Sequence, residues 1–144
     1  MCCDEVQSLA EYGRLYNWYA ADDTRGLCPS GWHVPTDGEW TNLENYINSQ
    51  GLGGTVGAAL KSTSGWYNNG NGTDDLGFSA LPGGHRFHDA DHFYDAGYSG
   101  SWWSSSSFGG YAWYRVIYYY NPHFYRVDYS KSFGFSVRCL RDSE

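Results

Sequence analysis

Six groups able to bind protons or metals crowd into HRFHDADHFYD at residues 85–95: His85, His88 and His92 with Asp89, Asp91 and Asp95. Imidazole and carboxylate together are ligands for zinc and related ions. Such a site needs three of them turned to one point, and no helix or strand is expected there to place three on one face. No metal is assigned. A second run, NNGNGTDD at residues 68–75, carries the oxygen donors that Ca²⁺ takes, but it lacks the twelve-residue ligand spacing and the closing bidentate Glu. It reads as a polar loop. The four serines of residues 104–107 follow Trp102 and Trp103 without the elbow sequence that marks an activated nucleophile. They read as structural, so no catalytic residue and no cofactor is assigned.

Four cysteines remain. A bridge from Cys28 to Cys139 would close a loop of about 110 residues and stabilise the fold by roughly 4 to 5 kcal/mol in the loop-entropy account; two separate buried thiols are the other reading. Cys2 and Cys3 are adjacent, which disfavours a bridge between them, and are free, cross-linked or the remnant of a lipid-attachment site. No mechanism is drawn from them.

Recognition is the chemistry that the composition does support. Residues 85–135 hold 18 of the 28 aromatic side chains, more than a small core can bury, so some of them must meet solvent or a partner. Residues 118–129 run Tyr, Tyr, Tyr, Asn, Pro, His, Phe, Tyr, Arg, Val, Asp, Tyr, a mixture no single buried face selects. Tyr and Trp give large contact area for little rotamer entropy, and Ser, Gly and Asn add adaptable hydrogen bonds, as in antibody recognition loops. A formal charge of −7 with nine Lys and Arg argues against nucleic acid, whose binding rests on neutralising phosphates. No run approaches the roughly 18 apolar residues of a membrane span, and no signal-peptide segment follows Met1, so direct membrane insertion is not expected.

Something must hold that display still. At 144 residues the chain fits one domain, with residues 1–10 expected to be loosely ordered. Residues 11–21 suit an early strand running into a helical turn, and RGLCPSGWHVP at residues 25–35 is a loop that delivers Trp32 and Val34 inward. Thr36 and Glu39 form a capping box ahead of Trp40, Leu43 and Ile47 at helical spacing, with Gly51 as the stop. A short second helix is expected over residues 56–61. Aromatic and β-branched residues at 101–105, 112–117 and 133–140 read as antiparallel strands. In the last, Phe133, Phe135, Val137 and Cys139 share one face. Trp102, Trp103, Trp113 and Arg138 are assigned to support.

The blocks YGRLYNWYAA, RGLCPSGWHVPTDGEWTNLENYI, LKSTSGW, GTDDLGFSALPGG, WWSSSS and KSFGFSVRCLRD resemble, in order and over nearly the whole chain, the Fibrobacter succinogenes major paralogous domain. That family is similar to the C-type-lectin fold in the version found in formylglycine-generating enzymes. The resemblance implies an α+β domain with one main helix, a second short helix and a small antiparallel sheet near the C-terminus. It also favours pairing Cys28 with Cys139. The chain further resembles the variable proteins of diversity-generating retroelements, which share this fold. There, adenine-directed mutagenesis of AAC or AAT codons yields residues that include Tyr, His, Asp, Phe, Val, Ile, Ser, Ala and Pro, but never Lys, Glu, Gln, Met or Trp. Residues 85–130 contain no Lys, Glu, Gln or Met, and their three Trp lie in scaffold blocks. Those residues are the expected variable region.

On that reading the chain is a non-catalytic receptor or adhesin at a bacterial surface or on a phage particle, binding a protein or surface ligand. The expected contact residues are Phe87, His88, Asp89, Asp91 and His92, then Ile117, Tyr118, Tyr119, Tyr120, His123 and Phe124, then Val127, Asp128 and Tyr129. The alternatives are an adhesin of fixed specificity for protein or glycan, and a metal-dependent enzyme of the formylglycine-generating type. Neither the Glu-Pro-Asn nor the Trp-Asn-Asp motif of Ca²⁺-dependent sugar binding is present, and Cys2 and Cys3 do not sit where that enzyme's catalytic pair would.

Overall fold

The computed structural model describes residues 5–88 and 92–143. It is an α+β arrangement of short helices and small antiparallel sheets. Residues 1–4 of the segment expected to be loose lie outside the described residues, and the rest of it enters α1 (Glu5–Tyr12). Asn17 caps α2 (Trp18–Ala21), its Oδ1 accepting from the Ala20 amide at 3.0 Å. Between these two helices too few residues remain for the early strand. It is reduced to a single bridge, Tyr16 to Phe135.

The main helix α3 (Asp37–Ile47) starts on the expected capping box: Thr36 Oγ1 accepts from the Glu39 amide at 3.1 Å and Glu39 Oε2 from the Thr36 amide at 2.8 Å. Its apolar face buries Trp40 and Ile47. A wide turn at Asn48–Leu52 ends it with Gly51 at φ 82°, a left-handed geometry that a side chain would strain. The short helix α4 (Val56–Leu60) follows, with Lys61 as the residue that closes it.

Among the described residues seven strands form three sheets. Strands β1 (Trp32–His33) and β7 (Leu140–Arg141) pair, as do β2 (His85–Arg86) and β3 (Phe93–Tyr94); β4 (Ser99–Phe108), β5 (Tyr111–Tyr118) and β6 (Tyr125–Ser130) make the three-stranded sheet. The expected strands at 101–105 and 112–117 lie inside β4 and β5. The one expected at 133–140 is not a strand. Its residues thread between partners, bridging Arg86 through Gly134, Tyr16 through Phe135 and Trp102 through Ser136, and only Leu140 enters β7. Its alternation survives nonetheless, with Phe133 and Phe135 buried and Val137 packed against the same cluster. The third strand of the sheet is β6, drawn from residues read as display.

Two apolar clusters sit on the two faces of this sheet, because alternation sends Trp102 one way and Trp103 the other. Trp102 joins Trp40, Ile47, Leu60 and Trp66 under α3 and α4; Trp103 joins Trp18, Val34, Phe133 and Phe135. Four of these buried indoles also donate their N–H to main chain: Trp18 to Ser104 O (2.9 Å), Trp40 to Trp103 O (3.3 Å), Trp103 to Tyr16 O (2.7 Å) and Trp66 to Ala80 O (3.2 Å). Rings and backbone are thereby fixed together. On the α3 side, fully buried Arg115 binds Asp37 Oδ1 at 2.7 Å and Thr41 Oγ1 at 3.0 Å, while Arg126 reaches Asp37 from β6 and stacks over Trp113 at 3.6 Å. Burial opposes ionisation of Asp37, but the bonds from Arg126 and Arg115 outweigh it and hold its carboxyl below the usual range.

Three expectations need correction here. Ile117 shares the helix-facing side of β5 with Arg115 and is fully buried, and Phe124 closes the same core edge-on to Trp40 at 6.0 Å. Neither is a contact residue. Trp32, expected inward with Val34, is 45 % exposed, since a two-stranded pair cannot cover both its faces.

The chain ends are clasped. Cys28 and Cys139 form a disulfide with Cα atoms 5.8 Å apart. Beside it His33 bridges two carboxylates, Nδ1 to Asp142 Oδ1 at 2.6 Å and Nε2 to Glu39 Oε2 at 2.9 Å. The bond to Asp142, then that to Glu39, raises the His33 pKa. A raised folded-state pKa gives stability that is complete below the unfolded value near 6.5 and lost as pH rises through the folded one. Urea midpoints should therefore fall as pH rises above about 6.5, and His33→Asn should flatten that slope. Truncating the core ring, Phe124→Ala, should cost about 3–5 kcal/mol of unfolding free energy in the same assay, against under about 0.5 kcal/mol for exposed Tyr120→Ala.

Candidate functional site

The face of the sheet turned away from α3 carries Ser99, Ser101 and Trp103 on β4, opposite Tyr118, Val116 and Tyr114 on β5; Tyr125 and Val127 on β6 lie opposite Val116 and Tyr114. Phe135 covers the Trp103 end, 4.4 Å from Trp103 and 4.3 Å from Tyr114 between ring centres. The other end is open as a cleft of about 200 Å³. Ser99, Ser101 and Val116 form its floor, Tyr118 and Tyr129 line it from β5 and β6, and His85 and Phe87 line it from β2 and the residues after it. Ser99 and Ser101 are 2 % and 3 % exposed, and among the described residues neither hydroxyl has a hydrogen-bond partner. Neither oxygen is sealed in, since among the described residues Arg115 Nε is the one buried side-chain polar atom without a partner; both open to the cleft, where a ligand can bond to them.

Electrostatically the cleft is neutral inside and negative at its rim. Burial, then Tyr118, Tyr129 and Asp128, pushes the Tyr114 hydroxyl up to about 12. Burial, then Tyr120 and Asp95, raises Tyr118. Burial lowers the His85 pKa against the pull of Asp95, whose carboxylate lies 3.7 Å from Nδ1. At neutral pH the lining therefore offers hydroxyls and a neutral imidazole, with no Lys or Arg among its side chains.

Residues 118–124, which pass beside this cleft, are held through main-chain atoms. The Tyr119 amide donates to Tyr98 O at 2.9 Å, the Ala58 amide to Pro122 O at 3.1 Å, and Lys61 Nζ to Asn121 O at 3.0 Å and Tyr119 O at 3.5 Å. Lys61 is almost wholly buried, and burial lowers its pKa. Two scaffold glycines let the backbones meet: a methyl on Gly70 would overlap Tyr119 O, and one on Gly57 would overlap His123 O. From this fixed track Tyr118 and Tyr120 project as a stack with centres 5.3 Å apart, Tyr118 meets Tyr125 at 5.8 Å, and His123 is exposed.

Of the expected contact residues, Phe87, Tyr118 and Tyr129 line the cleft and Val127 shares its face. Tyr120 and His123 are exposed near its rim, while His88 and His92 are exposed on the residues joining β2 to β3. Asp89 and Asp91 lie outside the described residues. Tyr119 instead packs with Tyr67 and Tyr98 (5.3 and 5.5 Å), and Asp128 lies opposite Trp113 on the α3-facing side of the sheet. Reasoning from sequence missed Ser99, Ser101, His85, Tyr114, Val116, Tyr125 and Phe133. The period-two pattern of β4 and β5 could have found Ser99, Ser101, Tyr114 and Val116 only with the pairing register known.

Other candidate chemistry is accounted for locally. Ser104 Oγ donates to Trp113 O at 2.8 Å, and Ser106 Oγ accepts from the Asp37 amide at 3.0 Å. Asp74 receives the Ser79 amide and hydroxyl at 2.7 and 2.6 Å. Among the described residues no three His, Cys, Asp or Glu side chains gather as a metal site, and no helix is long and apolar enough to cross a membrane. Of the charged residues lining a second hollow beside the disulfide, His33 is paired with Asp142 and Glu39, and Asp23 with Arg25.

Fold and site together define an α+β domain with an aromatic cleft on a small antiparallel sheet. The family model described as the Fibrobacter succinogenes major domain (Fib_succ_major) matches residues 3–141, and the chain belongs to that family. No curated protein and no solved structure matches it.

The track makes its own demand. Gly70→Ala should cost about 1–3 kcal/mol and speed hydrogen exchange of the Tyr119 amide ahead of global unfolding, read by denaturation and by exchange NMR.

Proposed function

We propose that this protein is a non-catalytic binding domain of C-type-lectin-like fold, the variable product of a diversity-generating retroelement. The observation that carries this reading is the main-chain grip on residues 118–124: hydrogen bonds to Tyr119, Asn121 and Pro122 use backbone carbonyls, which every residue type supplies, and one amide at Tyr119, which every type but proline supplies. Side chains pointing from that track, Tyr118, Tyr120 and His123, are then free to change without loss of the bonds that hold it. Tyr129 adds an exposed ring on β6.

Further support comes from composition and closure. Residues 85–130 lack the side chains that asparagine codons cannot reach by adenine change, apart from three Trp, of which Trp102 and Trp103 are buried and Trp113 carries Arg126. The capped α3, the short α4, the terminal pair β1–β7 and the Cys28–Cys139 bridge fit a lectin-like body. A disulfide suits an oxidising setting such as a cell surface or a phage particle.

The coding DNA tests the reading. A near-copy of the 3′ segment, with AAY codons at the positions of Tyr118, Tyr120, His123 and Tyr129 and beside a reverse transcriptase gene, is expected; an isolated gene without such a copy points to an adhesin of fixed specificity. In the protein, joint replacement of Tyr120, His123 and Tyr129 by Ala should leave the urea midpoint nearly unchanged, each exposed site contributing within about 0.5 kcal/mol.

A further inference from the structure

The cleft floor has a property that its aromatic walls alone do not explain. Two serines that are almost completely buried as residues open their hydroxyls, unpartnered among the described residues, onto a space bounded by tyrosine and phenylalanine rings. No Lys or Arg lines that space, and the whole chain carries a formal charge of −7. Asp95 stands 3.7 Å from the lining His85. An anion would meet repulsion here and find no cation to bind.

We propose that the cleft takes the guanidinium of an arginine side chain presented by a protein partner, a deepening that rests on the ligand-binding reading above. A guanidinium is flat, so it can lie against the faces of aromatic rings such as Tyr118 and Tyr129. Its N–H groups radiate from the edge of the same plane and can donate to Ser99 Oγ and Ser101 Oγ, satisfying both. Alternate β4 residues point to one side, which places the two hydroxyls together beneath the walls. A quaternary ammonium would leave the hydroxyls unsatisfied, and a lysine ammonium cannot stack while it donates. The protein's acidity then assists encounter with a basic surface.

The test uses the full chain and four probes: N-acetyl-Gly-Arg-Gly-amide, its citrulline and lysine counterparts, and free L-arginine, each titrated by calorimetry and by the NMR shifts of the Ser99, Ser101 and Val116 amides. The arginine peptide should shift those amides and bind at least about tenfold more tightly than the citrulline peptide, which keeps the shape and loses the charge. The lysine peptide should be weaker, and free arginine weaker still, because its carboxylate enters the negative rim. The double variant Ser99→Ala with Ser101→Ala loses no protein hydrogen bond, so its melting temperature should hold while affinity for the arginine peptide falls by about tenfold. Equal binding of arginine and citrulline peptides, undiminished binding by the double variant, or unmoved cleft amides would each overturn the proposal. Free arginine binding as well as the peptide would remove the protein partner from it. These failures leave diversification standing, since that is decided by the coding DNA; an arginine-binding cleft without a template copy would instead be a fixed site.

Discussion

A backbone-to-backbone grip governs this protein's surface. Lys61, Gly57, Gly70, Ala58 and Tyr98 meet residues 119–123 at carbonyls and amides, so main chain sets most of the path of that segment, with Asn121 Oδ1 adding one side-chain bond from the His123 amide. The grip requires close approach, which is why glycine stands at two of the contacts, and a buried ammonium able to reach two carbonyls at once. Such a lysine is expensive to bury, and the carbonyl oxygens around it offset the lost hydration.

The rest of the fold separates support from display by strand alternation. On one face of the three-stranded sheet lie Trp102, Arg115, Ile117 and Arg126, tied to α3 through Asp37; on the other lie Ser99, Ser101, Tyr118 and Tyr129. Arg115 and Arg126 converge on a carboxylate in the first turn of a helix, where the helix dipole also favours negative charge. The pair of guanidiniums and the capped helix end therefore hold the back of the sheet while the front remains open. Closure of the chain is a separate device, made by the disulfide, the β1–β7 pair and the His33 bridge, all away from the cleft.

Several features were legible in the residues themselves. The α3 boundaries follow from Thr36, Glu39 and the spacing of Trp40 and Ile47, because capping and helical periodicity are local. The aromatic excess of residues 85–135 announced a face that could not all be buried, and Tyr118, Tyr120 and Tyr129 are partly or fully exposed. Ile117 and Phe124 show the limit. Both sit among tyrosines and look like neighbours on one surface, yet each turns into the Trp40 cluster, one by strand parity and one by the turn that precedes β6. Composition reports how many rings must be outside and is silent on which.

By itself the sequence determined the class of the fold, its main helix and the kind of side chain it would present, since propensity, capping and composition act over a few residues. Tertiary structure alone decided that residues 133–140 thread between partners, that Ser99 and Ser101 open beneath a ring-lined cleft, and that residues 119–123 are gripped by their backbone. Each of those depends on register and on contacts between segments distant along the chain, where a shift of one residue would turn every side chain to the opposite face.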